Sequence, residues 1–262
     1  MTRSLQVRIR RNSEGDLGAE IIRLEWDPAK AAVVICDMWD RTNCVSAQQR
    51  VGDMAPHMNE VVRILRSQGT LIVHAPGGCA GFYDGTPARI RALQAPYAVA
   101  PAPIDWNSWN CDRHDQLPRT LTSPGPCSCN SAQPCCKGGP PYPWTRQTPD
   151  IEVTDEDAVT DDGQELFNLL EQHQASQVIV LGVHTNVCIL GREYGIRQLV
   201  FAGKAPLLCR DLTDSFHQDP RGHTWGTEAT IAHVERFWCP SVRSDDLVGG
   251  KPFCFSSESA PD

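Results

Sequence analysis

Two short runs leave few folds open to this chain. Ala31–Asp37 (AAVVICD) and Gln177–Val183 (QVIVLGV) are apolar at almost every position. A strand with one face in water alternates polar and apolar residues, whereas a strand buried on both faces does not. Unbroken apolar runs of this length therefore point to a parallel sheet covered by helices on both sides. Thr70–His74 (TLIVH) reads as another such strand. Helical spacing fills the intervals. Asp53–Gln68 carries Met54, Met58, Val61, Val62 and Leu65, with Gly69 as its C-terminal stop. Asp162–His173 carries Leu166, Leu169 and Leu170, with Asp161 and Asp162 suited to a helix start. Asn186–Gly195 and Thr227–Arg236 are expected as helices, and Gln198–Ala202 and Pro206–Cys209 as short strands. This order predicts an α/β fold, with a mainly parallel sheet between two helical layers.

The ends and the middle differ from that core. Leu5–Arg10 (LQVRIR) alternates, which suits an exposed or edge strand as an N-terminal extension. Residues 100–150 are rich in Pro, Gly, Cys and Trp without periodicity, and are expected to form an irregular insert in a single domain spanning 1–248. Residues 249–262 read as a flexible tail. With 32 acidic against 24 basic residues the net charge is −8, which disfavours nucleic acid and anionic membrane surfaces as partners. The first residues, MTRSLQVRIRRNSEG, hold charge but no apolar stretch, so a cytoplasmic location is expected. The twelve cysteines pull the other way, because Cys127, Cys129, Cys135 and Cys136 crowd one loop and would pair in an oxidising compartment. Their C-x-C-x5-C-C spacing departs from the paired C-x2-C of most zinc sites, leaving zinc, disulfides and free thiols all open.

Ligands of open parallel sheets bind beyond the carboxyl ends of the strands. Asp37 closes the first such strand, His74 the second, and the third runs into His184-Thr185-Asn186-Val187-Cys188. Cys188 then falls in the first turn of the expected helix, where free N–H groups favour a thiolate, and Asp37 is placed to accept its proton. Trp39, Tyr83, Trp106, Trp109 and Trp144 are candidate pocket walls, Cys44 follows Asp37 closely, and Asn186 reads as a helix cap or a ligand contact.

The stretch GVHTNVC, Gly182 to Cys188, resembles the nucleophile turn of the isochorismatase-like cysteine hydrolases, and VVICDMWD resembles their first strand. The resemblance spans roughly Ala31–Phe82 and Asp150–Cys239. It implies a six-stranded, mostly parallel sheet in a three-layer α/β/α sandwich, and a cis peptide between Val183 and His184. It also implies an oxyanion hole from the backbone N–H groups of His184 and Cys188, with Cys188 as nucleophile and Asp37 as proton shuttle. A small-molecule substrate, a homo-oligomer and no required cofactor follow from the same likeness. Two departures stand out. The family's catalytic lysine would fall at or near Asp155, in an acidic segment, and no lysine occurs between Gly138 and Gly203. Arg146, Lys137 and Arg41 are the cations that could reach in from loops. The nicotinamidase Asp-x-His metal pair is also missing from HAPGGCAGFYD, and Asp112-Arg113-His114 does not copy it, which speaks against nicotinamide as substrate. The expectation is a hydrolase of a small amide or other C–N bond substrate, with a non-catalytic binding protein as the alternative. Chemistry at Asp37 alone, as on a vinyl ether, is disfavoured by the presence of Cys188.

Overall fold

In the computed structural model, which describes residues 2–10, 18–106, 117, 121, 142–217 and 223–255, the apolar runs are adjacent strands. The sheet has eight strands: β1 (Arg3–Arg10), β2 (Ala19–Trp26), β3 (Ala31–Cys36), β4 (Leu71–Ala75), β5 (Ala158–Val159), β6 (Gln177–Val183), β7 (Ala205–Asp214) and β8 (Ser241–Val242). Their order is β2-β1-β8-β7-β6-β3-β4-β5. From β5 to β8 every neighbouring pair is parallel. The expected six-stranded parallel sheet is thus present, and an antiparallel β1–β2 hairpin extends it on the β8 side. The strand at Leu5–Arg10 is consequently not an edge. Its alternation reflects inward Leu5 and Val7, while β2 forms the border.

Helices follow the strands as α1 (Val45–Ser67), α2 (Pro87–Gln94), α3 (Gly163–Gln172), α4 (Cys188–Gly191), α5 (Ile196–Phe201), α6 (His223–Phe237) and α7 (Ser244–Val248). Strand β3 divides the core between the two faces. Ala31, Val33 and Ile35 pack with Met54, Met58 and Leu65 of α1, while Ala32, Val34 and Cys36 pack with Leu166 and Leu170 of α3 and Ile231 of α6. Alternate residues facing two separate apolar layers make the α/β/α sandwich.

Several boundaries differ from the sequence reading for identifiable reasons. Helix α1 begins earlier, because Ala47 and Val51 continue its buried stripe and the Cys44 sulfur caps it by accepting from the Ala47 N–H at 3.4 Å. Its internal Pro56 is tolerated on the exposed side. The segment expected as a strand at Gln198–Ala202 lies largely in α5, where Ile196 and Leu199 are spaced for one helix face. The helix expected over Asn186–Gly195 is only the short α4, because Arg192 turns to extended backbone (ψ 160°). Gly195 permits the tight return, since a Cβ there would lie 2.8 Å from the Ile189 carbonyl oxygen. At the other end, Phe253 N–H donates to Asp211 at 3.1 Å and Phe255 is buried, so the described chain packs onto the domain beyond residue 249.

Candidate active site

The carboxyl ends of β3, β4 and β6 meet at a cavity of about 770 Å³. Asp37, the first residue after β3, has φ of +49°, a left-handed conformation that Asp adopts more readily than most side chains. Its carboxylate is fully buried and densely bonded. Oδ1 accepts from the Gly77 N–H at 2.7 Å and the Tyr194 hydroxyl at 2.7 Å, and Oδ2 accepts from Arg192 Nε at 2.9 Å. The Cys188 thiol lies close enough to feel the charge of the same carboxylate, and it lines the cavity beside Arg192. Asp37 and Cys188 are therefore brought together.

A cation also stands beside Asp37, but from a position the sequence reading did not consider. Asp155 is exposed, Arg41 pairs with Asp40, and exposed Arg146 lies over the Phe82 ring; Lys137 lies outside the described residues. The charge comes instead from Arg192, four residues after Cys188, with Tyr194 two residues further on. The signal was available one helical turn beyond the nucleophile, away from the expected lysine position. The turn that ends α4 at Arg192 delivers its side chain. Gly77 is its counterpart on the β4 side, where a Cβ would lie 2.7 Å from Asp37 Oδ1 and 2.9 Å from Arg192 Cζ, so only glycine fits. The acidic segment has its own task. Asp161 Oδ2 accepts from the Gly78 N–H at 2.8 Å and pins this loop, and Asp162 caps α3.

Burial first, and then the adjacent Asp37 charge, raise the Cys188 thiol above its ordinary range; Arg192 and the His184 N–H oppose them. Against the thiolate expected at a helix start stand the single turn of α4 and the burial of Cys188, which is only 4% exposed. The Val183–His184 peptide is cis. The His184 side chain is buried, lining the cavity edge-on to Phe216. Burial, and then Arg50, lower its pKa to about 3, so the ring is neutral at physiological pH.

The remaining candidates separate. Trp39 lines the cavity, stacked on Trp144 at 4.1 Å with Arg192 over its ring, and Cys44 lines it too. His74 does not. It is sealed beneath the loop, with Nδ1 2.9 Å from Gln147 Oε1 and Nε2 3.1 Å from Asp157 Oδ2. The Tyr83 hydroxyl accepts from the Gln147 N–H at 3.2 Å, also outside the cavity lining. Asn186 neither caps α4 nor lines the cavity. Its amide holds the Phe216 backbone in both directions, at 3.0 and 2.9 Å. Trp106 donates to Gln164 at 3.0 Å in the insert packing. Trp109, Asp112, Arg113, His114 and the four loop cysteines lie outside the described residues. Among the described residues no group of three or more His, Cys, Asp or Glu is placed to hold a metal ion, and no helix is long and apolar enough to cross a membrane.

No family model and no curated protein matches the sequence. Solved structures do share its fold. A cysteine hydrolase from Pseudomonas syringae pv. phaseolicola 1448A superposes with a TM-score of 0.52 at 13% identity, covering 85% of this chain and 93% of that one. An isochorismatase from Pseudomonas putida KT2440 gives 0.51 at 10% identity (85% and 92% covered), and a putative isochorismatase hydrolase from Oleispira antarctica 0.50 at 12% (85% and 97%). The chain has the isochorismatase-like fold.

Proposed function

We propose that this protein is a cysteine-dependent hydrolase acting on a small amide or other C–N bond substrate. One observation carries the reading: the Cys188 thiol meets a buried carboxylate that is itself held by an arginine, a tyrosine and a backbone N–H, at the floor of a cavity. Asp37 takes the thiol proton as Cys188 Sγ attacks the substrate carbonyl carbon. The carbonyl oxygen becomes an oxyanion, which the backbone N–H groups of His184 and Cys188 stabilise. Asp37 returns the proton to the departing nitrogen, the C–N bond breaks, and a thioester remains. Water then attacks the thioester, giving up a proton to Asp37, and the thiol is restored. Arg192 supplies the positive charge that the family lysine supplies elsewhere. It balances Asp37 in the resting state and offsets the negative charge that reaches the sulfur. The stacked Trp39 and Trp144 rings, with Phe216 and Tyr142, suit a flat substrate with apolar faces.

Ammonia release from a panel of primary amides and carbamoyl compounds tests the reading. Turnover by the wild type, abolished in Cys188→Ala, is expected. Turnover that persists in Cys188→Ala contradicts the assignment. The binding-protein alternative draws on the deep burial and raised pKa of the thiol. Saturable binding of these compounds without ammonia release would favour it.

A further inference from the structure

The turn between β6 and α4 is tied to one neighbouring element. Thr185, Asn186 and Val187 separate His184 from Cys188, and two of them are bonded to the end of β7 and the residues just after it. The Thr185 N–H donates to the Asp214 carbonyl at 3.0 Å, and the Thr185 and Thr213 hydroxyls stand 2.8 Å apart. Asn186 accepts from the Phe216 N–H at 2.9 Å. The strand register agrees, with Val183 opposite Asp214 as the last pair between β6 and β7. The turn therefore moves with the end of β7.

Asp214 is gripped from two sides. Its Oδ2 accepts from Nε of Arg50, on α1, at 2.8 Å, and its Oδ1 accepts from the hydroxyl of Thr227, on α6, at 3.4 Å. The Ser215 N–H donates to the same Thr227 oxygen at 2.9 Å. Arg50 is 8% exposed and Asp214 is 1% exposed. Arg50 stands in the buried stripe of α1 with Ala47, Val51 and Met54, where an apolar side chain would be the ordinary choice. A buried ion pair is a poor means to stability, because desolvating two charges cancels much of their attraction. What it supplies is geometry. A carboxylate with both oxygens committed cannot shift without breaking a charge-assisted bond. Neither residue lines the Cys188 cavity, yet the Arg50 charge is close enough to act on the His184 ring.

We propose that Arg50 and Asp214 are positioning residues for the oxyanion hole, fixing the end of β7 so that the turn keeps the His184 and Cys188 N–H groups aimed at one point. The proposal rests on the reading of Cys188 as nucleophile. A misplacement of about 1 Å at such donors costs about 10²-fold in rate.

The test compares a reaction that needs the hole with one that does not. With p-nitrophenyl acetate, Cys188 Sγ attacks the ester carbonyl carbon and its proton passes to Asp37. An oxyanion forms, p-nitrophenolate leaves, and an acetyl thioester remains. With iodomethane the same sulfur displaces iodide from a saturated carbon, and no oxyanion arises. Both products are read at Cys188 by peptide mass spectrometry after acid quenching, with Cys188→Ala as the blank. Arg50→Met combined with Asp214→Asn removes both charges together and leaves no lone buried charge. Its acylation rate should fall by about 10²-fold, with alkylation unchanged. Arg50→Lys keeps the charge without the planar fork and should show the same split at about tenfold. Circular dichroism checks each fold, and Arg50→Lys decides the matter if the double variant does not fold. Acylation and alkylation that fall together would assign the pair to general stability and overturn the proposal. Acylation as fast as in the wild type would overturn it too. A wild type whose Cys188 takes up no acetyl group overturns the hydrolase reading itself, and the proposal with it.

Discussion

Two buried carboxylates flank strands of the sheet, Asp37 just after β3 and Asp157 just before β5, and their difference separates a site from a strut. Asp157 is bound by Arg66 through both oxygens at 2.8 Å, by His74 at 3.1 Å and by the Thr154 N–H at 2.7 Å. Asp37 is bound as densely, by Arg192, Tyr194 and Gly77. Both carry an arginine and neither is exposed. Both arginines open onto cavities, and Asp157 lines one with Arg66; the hydrogen bonds to Asp157, however, come only from structural donors, whereas Asp37 faces the Cys188 thiol. Density of hydrogen bonding does not distinguish them. The chemistry of the remaining neighbour does.

Substitution at each carboxylate should break the comparison apart. Asp37→Asn removes the proton acceptor and is expected to lower kcat by about 10²–10⁴-fold, the range for a general base, with a much smaller effect on KM. Asp157→Asn leaves Arg66 buried without its counter-charge. It should destabilise the fold by about 3–5 kcal/mol in a denaturant titration while activity per folded molecule is kept. If Asp157→Asn instead lowered kcat at full stability, the two carboxylates would not have separate roles. Gly77→Ala comes next in size. Its Cβ would displace Asp37 and Arg192, and a shift of about 1 Å at reacting groups costs about 10²-fold in rate. Arg192→Lys keeps the charge and loses the fixed guanidinium geometry. A loss of roughly tenfold in kcat/KM is expected, about 1.4 kcal/mol, with Arg192→Met losing more.

How much of this was legible in the sequence follows from which forces act locally. The buried strands were legible because double-sided burial writes itself as unbroken apolar runs, and Asp37 and Cys188 because they end such runs. Gln198–Ala202 was misread because a short apolar segment fits a strand or a buried helix equally well. His74 was a reasonable pocket candidate by position alone. What seals it is Gln147 from the segment after the insert, a contact with no local signature. Arg192 has no signature in the sequence as a partner of Asp37, because the two are 155 residues apart and a charge can reach the same point in space from any adjoining turn.

A further expected effect is on stability against pH. Burial, and then Arg50, lower the His184 pKa from 6.5 to about 3. The unfolded chain therefore binds a proton that the folded one refuses, and stability falls as pH drops through that window. Asp157 adds a second loss. Burial would raise its pKa, but the hydrogen bonds from His74 and Arg66 outweigh that and lower it from 3.8 to about 2, so its stabilisation is present above 3.8 and is lost as pH falls through about 2. The thermal midpoint should decline below pH 6.5, and His184→Gln should flatten the upper part of that decline.

The central claim is that Asp37, balanced by Arg192, takes the Cys188 proton inside the site. Iodoacetamide, itself a small primary amide, probes it directly when labelling of each cysteine is followed by peptide mass spectrometry across pH 6–9. The account predicts that Cys188 is labelled faster than Cys36, Cys44 and Cys79, with a rate nearly flat in pH because its proton goes to Asp37 and not to solvent, and that Asp37→Asn abolishes this advantage. Labelling of Cys188 no faster than the other cysteines, or rising about tenfold per pH unit as an isolated thiol of high pKa would, contradicts it.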